Sequence, residues 1–160
     1  MIKEYSFDLL ISHNQVRLEN RPFSDGLCDW GKGNLAQGCI IHDGFVVFDS
    51  ILEGSFGANV YLRVADNFDI DDDCVRCVQT SFLYNKSMPL KISSAFESFV
   101  VDVEIEDGNY TLYFEIVEVE EVFYRFTIVD SRGCCSGSKY LNDDDFGGVE
   151  NMVVKHGKFN

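Results

Sequence analysis

From Tyr5 the chain alternates apolar and polar residues, with Tyr5, Phe7, Leu9 and Ile11 set against Ser6, Asp8 and Ser12. A period of two predicts a strand with one buried face. Val16 and Leu18, between Gln15, Arg17 and Glu19, continue the alternation until Arg21-Pro22 and Asp25-Gly26 break it. Gly31 to Gly38 has room for one helical turn around Leu35 and Ala36. Asp43-Gly44 leads into the apolar run Phe45–Phe48, and Val60, Leu62 and Val64 alternate with Asn59, Tyr61 and Arg63. Val78, Phe82 and Tyr84 share one face of a further strand, which Met88-Pro89 ends; Tyr124, Phe126 and Ile128 share a face of another. No long helical stripe and no fixed-period repeat interrupts this series. Short strands with turn signals every 8–12 residues predict an all-β fold. The expectation is an antiparallel β-sandwich of about eight strands with at most one short helix, formed by residues 1–130. Residues 131–160 read as a C-terminal extension packed on the same domain, with Met152-Val153-Val154 as a last edge strand.

One hairpin is predicted in detail. Asp107-Gly108 is a two-residue turn signal between two alternating runs. The implied register pairs Ile105 with Tyr110, Val103 with Leu112, Val101 with Phe114 and Phe99 with Ile116 inside the protein. It leaves Asp102, Glu104, Glu106 and Glu115 on the solvent face. A slip by one residue would turn the core outward.

Composition narrows the function. The chain has 160 residues, 46% of them hydrophobic and 14% aromatic, enough for a core without disulfides or metals. Thirteen Lys plus Arg against 27 Asp plus Glu give a net charge of −14. That argues against direct binding to nucleic acid or to an anionic membrane, both of which call for a basic surface. It favours solubility and attraction to a basic partner. No apolar run approaches the ~20 residues of a membrane span, and Met1–Tyr5 lacks the features of a secretory signal. The chain is therefore expected in the cytoplasm with its six cysteines reduced.

The chemical candidates are few. Asp69-x-Asp71-x-Asp73 matches the start of an EF-hand loop, but Cys74 stands where glycine is needed and Thr80 where the bidentate glutamate belongs. A loop at the end of a sandwich can bind calcium without that motif, so a calcium-dependent or lectin-like module is one alternative. Cys74-x-x-Cys77 with Cys134-Cys135 makes a poor zinc set, because residues three apart on a regular strand face opposite ways. Buried or idle thiols account better for Cys28, Cys39, Cys74 and Cys77, and a Cys134–Cys135 disulfide is conceivable in a purified sample. His13, His42 and His156 are dispersed and belong to no nucleophile motif. A small hydrolase with an unrecognised site is a third alternative; the expectation is no enzyme, no cofactor and no resident metal. The charge pattern is more informative. Asp66, Asp69, Asp71, Asp72 and Asp73 place five carboxylates in eight residues, and residues 97–121 contain no Lys or Arg. These five, with Asp102, Glu104, Glu106 and Glu115, are the candidate contacts to a basic protein. The competing reading is an ordinary solvated face that discourages aggregation.

The order of several segments resembles the competence protein J family. They are Ile11-Ser12-His13-Asn14-Gln15, Asp29-Trp30, Ala36-Gln37-Gly38, Asp43-Gly44 before Val46-Val47-Phe48, Ala58-Asn59-Val60-Tyr61-Leu62-Arg63, and Phe99–Val103 before Gly108-Asn109-Tyr110-Thr111-Leu112. The resemblance spans about residues 5–130. It implies an acidic inhibitor or immunity protein that neutralises a cognate nuclease, either one acting on DNA taken up by the cell or a toxin. It carries over no site residues. Asp29, Trp30, Asp43 and Gly44 are expected to specify the fold rather than to inhibit.

Overall fold

The first alternating run forms β1 (Lys3–Ile11), with Leu9 and Ile11 fully buried and Ser6 and Asp8 exposed. His13 and Asn14, both at φ 54°, then close a two-residue turn, the left-handed geometry that hairpin turns favour. The alternation resumes in β2 (Gln15–Glu19), but the turn has carried it into a second sheet. A 3-10 turn (Asp25–Cys28) and the short α1 (Lys32–Gln37) follow, α1 ending at Gly38 in the left-handed conformation. Then come β3 (Cys39–His42), β4 (Phe45–Asp49), β5 (Phe56–Ala65), β6 (Cys74–Tyr84), β7 (Leu90–Ser93), β8 (Ser98–Val101), β9 (Gly108–Glu118), β10 (Val122–Val129) and β11 (Lys139–Tyr140). These elements come from a computed structural model that describes residues 2–130 and 137–160. Cys134 and Cys135, and any bond between them, lie outside the described residues.

The eleven strands among the described residues build two sheets. One has six strands in the order β1-β5-β10-β9-β6-β11, the other five in the order β3-β4-β2-β7-β8. The expected count of about eight was too low. β5 and β10 also run parallel, so the larger sheet is mixed rather than wholly antiparallel. The inner faces share one core. Phe48 of the smaller sheet stacks on Phe114 of the larger, with ring centroids 4.1 Å apart, and Tyr124 and Phe126 pack beside them. The Tyr124 hydroxyl donates to the Ser50 carbonyl at 2.7 Å, which satisfies the phenol inside the core.

The predicted Asp107-Gly108 hairpin does not form. β8 pairs with β7 in the smaller sheet and stops at Val101. Residues 102–107 cross to the larger sheet, where β9 lies between β10 and β6. Phe114 therefore faces Phe126 and Val78, not Val101. The cause is non-local. The same inward residues, Val101, Leu112, Phe114 and Ile116, are buried under either pairing. Two long neighbours satisfy both edges of β9, where one short strand could satisfy only part of one.

Residues 137–160 pack on the same sheets. β11 pairs with β6, and Val153 makes a single bridge to Lys139 rather than an edge strand of its own. Tyr140 is buried, and its hydroxyl donates to the Gln37 carbonyl. Arg76 and Asp144 form a buried ion pair at 2.7 Å. At the end of the chain the Phe159 N–H donates to Asn34 Oδ1 at 2.7 Å. Its ring lies so near α1 that a Cβ on Gly33 would come within 2.2 Å of it.

Candidate partner-binding surface

Sheet order dictates the course of the acidic loop. β5 ends level with Thr111 of β9 and β6 begins level with Val117, with β10 and β9 between them, so residues 66–73 must run ~14 Å across and ~20 Å along the outside of the larger sheet. The loop is pinned as it crosses. Phe68 stacks on Tyr113 of β9, with centroids 3.9 Å apart and planes within 5°. The Asp71 N–H donates to Glu115 Oε2 at 3.0 Å. Arg125 of β10 donates from Nε to Glu115 Oε1 at 3.0 Å and from Nη2 to Asp71 Oδ2 at 3.1 Å. Asp71 Oδ1 accepts the Asp73 N–H at 2.9 Å, and the Asp73 carbonyl accepts the Glu118 N–H at 3.2 Å. The Asp73 N–H, followed by Arg125, holds the Asp71 carboxyl below the usual aspartate range.

This arrangement sorts the predicted acids. Asp66, Asp69, Asp72 and Asp73 are exposed. Asp71 is only partly exposed and serves Arg125. Glu115 is a correction: its side chain is 1% exposed and belongs to the Arg125 pair, so it is not on a solvent face. The alternation assigned it outward correctly, but the outward side at that point lies beneath the 66–73 loop. Arg125, which joins Asp71 to Glu115, was the residue sequence reasoning missed; a lone cation between the apolar Tyr124 and Phe126 was the available signal. The same contacts bear on calcium, because the middle carboxylate of Asp69-x-Asp71-x-Asp73 is bonded to Arg125. Among the described residues no group of three His, Cys, Asp or Glu is placed to hold a metal ion. A β-bulge between Cys74 and Arg76 upsets the expected alternation there. It brings Cys74 near enough to hydrogen-bond the Cys77 thiol, which, with burial, pushes that thiol up. Burial also raises Cys39, to about 12. Both are poor sources of thiolate.

Asp102, Glu104 and Glu106 do face solvent, on the 102–107 crossing rather than on a hairpin strand. They border an open cleft of about 640 Å³, shared with Lys86, Met88 and Val100. Glu106 meets Lys86 at 2.9 Å and Glu104 meets Lys3 at 3.8 Å. Both pairs are exposed and contribute little to stability. The far end of the loop is remote from this group, although Asp66, just past Ala65, stands level with Thr111. β9 begins next to this cleft at Gly108 and ends at Glu118, beside Asp73, ten residue steps or ~33 Å away. At that far end Glu118, Glu120 and Glu121 are exposed and extend the acidic loop.

Comparison with known proteins places this surface on a known scaffold. The crystal structure of ComJ from Bacillus subtilis, described as the inhibitor of the DNA degrading activity of NucA, matches with a TM-score of 0.66 at 19% identity. The match covers 81% of this chain and 98% of that one. A structure described as crocagin biosynthetic gene J matches with a TM-score of 0.56 at 11% identity, covering 82% of this chain and 99% of that one. No curated protein sequence matches the chain. The family model of competence protein J (ComJ) matches residues 8–129, from the middle of β1 to the last residue of β10, and on that span the chain belongs to the ComJ family.

Proposed function

We propose that this protein inhibits a NucA-like DNA nuclease by binding it. The observation that carries the reading is membership of the ComJ family over residues 8–129, with the fold of an inhibitor of NucA across almost all of that protein's length. The surface suits the role. A nuclease binds DNA through a basic groove, and a protein of net charge −14 brings carboxylates to where phosphates would otherwise lie. The acids offered are Asp66, Asp69, Asp72 and Asp73, held by a loop that Phe68 and Arg125 fasten to the sheet. Fastening matters because a pre-ordered loop loses little entropy on binding. The inhibitor acts by occupation, with no chemistry of its own.

The test is a titration of the purified protein into plasmid degradation by the NucA-like nuclease of the source organism. Degradation is expected to fall to zero near one equivalent. Undiminished degradation at a tenfold excess would overturn the reading.

A further inference from the structure

Beyond the acids, the same end of the sandwich carries a trough with exposed apolar side chains along it. Three shallow concavities there share their walls. His13, Trp30, Leu35 and Asp49 line the first. Leu35 and Asp49 continue into the second with Ile51 and Phe146, and those two continue into the third with Leu52 and Glu118. Leu35 is 66% exposed, Phe146 57% and Leu52 42%. Each lies on a different segment: α1, the C-terminal extension and the β4–β5 connection. Such convergence is what isolated surface hydrophobes lack.

The backbone under the trough is strained. Ile51 sits at φ 68°, a conformation that a β-branched residue adopts only when its surroundings impose it. Asp49 Oδ1 accepts the Ile51 N–H at 2.8 Å, and the Ser50 hydroxyl donates to the Leu52 carbonyl at 2.9 Å. Tyr124 holds the Ser50 carbonyl from below. The result is a rigid turn that presents Leu52 outward.

Charge around the trough is mostly negative, with exposed Lys32 one turn before Leu35 and Lys158 paired to Asp29 beside Trp30. Asp49 and Glu118 line it, exposed Glu53 adjoins Leu52, and exposed Glu120 and Glu121 follow Glu118. The cation in its wall, Arg76, is 5% exposed and neutralised by Asp144. Exposed apolar side chains inside a mostly acidic rim are the anatomy of a protein interface, not of a small-molecule site. We infer that this trough, with Leu35 and Phe146 as its anchors, is where the nuclease docks. The nuclease would insert an apolar side chain flanked by Lys or Arg. The inference rests on the function proposed above and gives that reading its hydrophobic contact.

The experiment compares inhibition constants of three purified proteins against the same NucA-like nuclease. They are the wild type, Leu35→Ala with Phe146→Ala, and Leu83→Ala with Val100→Ala. The last pair is also exposed but remote from the trough: Val100 lines the larger cleft and Leu83 precedes Tyr84 of its wall. The trough double variant is expected to weaken inhibition roughly thirtyfold, as loss of an interface hot spot does, while the control pair stays within about threefold of wild type. Thermal melting checks the fold, and Leu35→Lys supplies a second variant whose site on α1 is exposed and independent of the C-terminal extension. An unchanged inhibition constant for folded Leu35→Ala/Phe146→Ala and for Leu35→Lys would overturn the trough while leaving the inhibitor reading intact. Failure of the wild type to inhibit would remove both.

Discussion

Removing the Glu115 carboxylate leaves the Arg125 guanidinium, 9% exposed, with only the partly exposed Asp71 for company. Breaking a buried ion pair on one side strands the other charge, so Glu115→Ala is expected to cost about 3 kcal/mol in urea unfolding. Glu104→Ala, which removes an acid of the exposed group, is expected to change little, because its 3.8 Å contact with Lys3 is open to water. Two carboxyls also make stability depend on pH. At Asp144 burial pushes the carboxyl up, but the Arg76 hydrogen bond and the N–H groups of Gly148 and Phe146 outweigh it and hold it below the usual range. Asp71 is lowered by the Asp73 N–H and then by Arg125. Unfolded, both titrate near pH ~3.9. The unfolded chain therefore binds more protons in the window below that value, and the stability these groups supply is complete above it. It is lost as pH falls through their lower folded-state values. Melting temperature is expected to drop below pH ~4. Asp144→Asn is expected to be less stable at pH 7 and to lose less on acidification, which melting curves at several pH values would show.

Strands were legible wherever apolar residues alternated with polar ones, whether the polar face met water, as in β1, or lay under the crossing loop, as in β10. The alternations around Leu9, Leu62 and Phe126 became β1, β5 and β10, and Asp43-Gly44 became the turn between β3 and β4. Partner choice was not legible, since a period of two says which residues face inward and not which strand lies alongside. Phe114 separates the two questions. It is buried under the expected hairpin and in the observed sheet, so Phe114→Ala is expected to cost about 3–5 kcal/mol either way. The distinguishing measurement is a double-mutant cycle. The structure predicts coupling of Phe114 to Phe48 and Phe126, which it touches, and none to Val101 beyond experimental error. The site shows the same division. Exposed acids of the 66–73 loop could be read from density of charge alone. The burial of Glu115 could not, because it depends on β10 and β9 intervening between β5 and β6, so that the loop must cross them.

At the scale of the whole molecule, the net charge of −14 is spread unevenly, and the 102–106 group and the Asp72–Asp73–Glu118 group lie ~33 Å apart along β9. The Debye length is ~10 Å at 0.1 M salt, so a basic partner docked at one end scarcely feels the other. Charge reversal at the two ends should therefore give different results. Asp72→Lys with Asp73→Lys changes exposed side chains next to Glu118, and it spares Asp71, whose reversal would set two cations against each other at Arg125. Asp102→Lys with Glu104→Lys reverses the far group. If the nuclease docks on the loop end, the first pair slows association at least tenfold at low salt, about 1.4 kcal/mol in the encounter barrier. The second pair leaves it within a few-fold. Rates measured in ~20 mM and ~300 mM NaCl should converge for wild type and the loop variant as screening removes the steering. A larger effect from the 102–104 pair would move the docking site to the cleft beside Lys86. Equal rates for all three proteins at both salts would mean that the charge keeps the protein soluble and that recognition lies in apolar contacts alone.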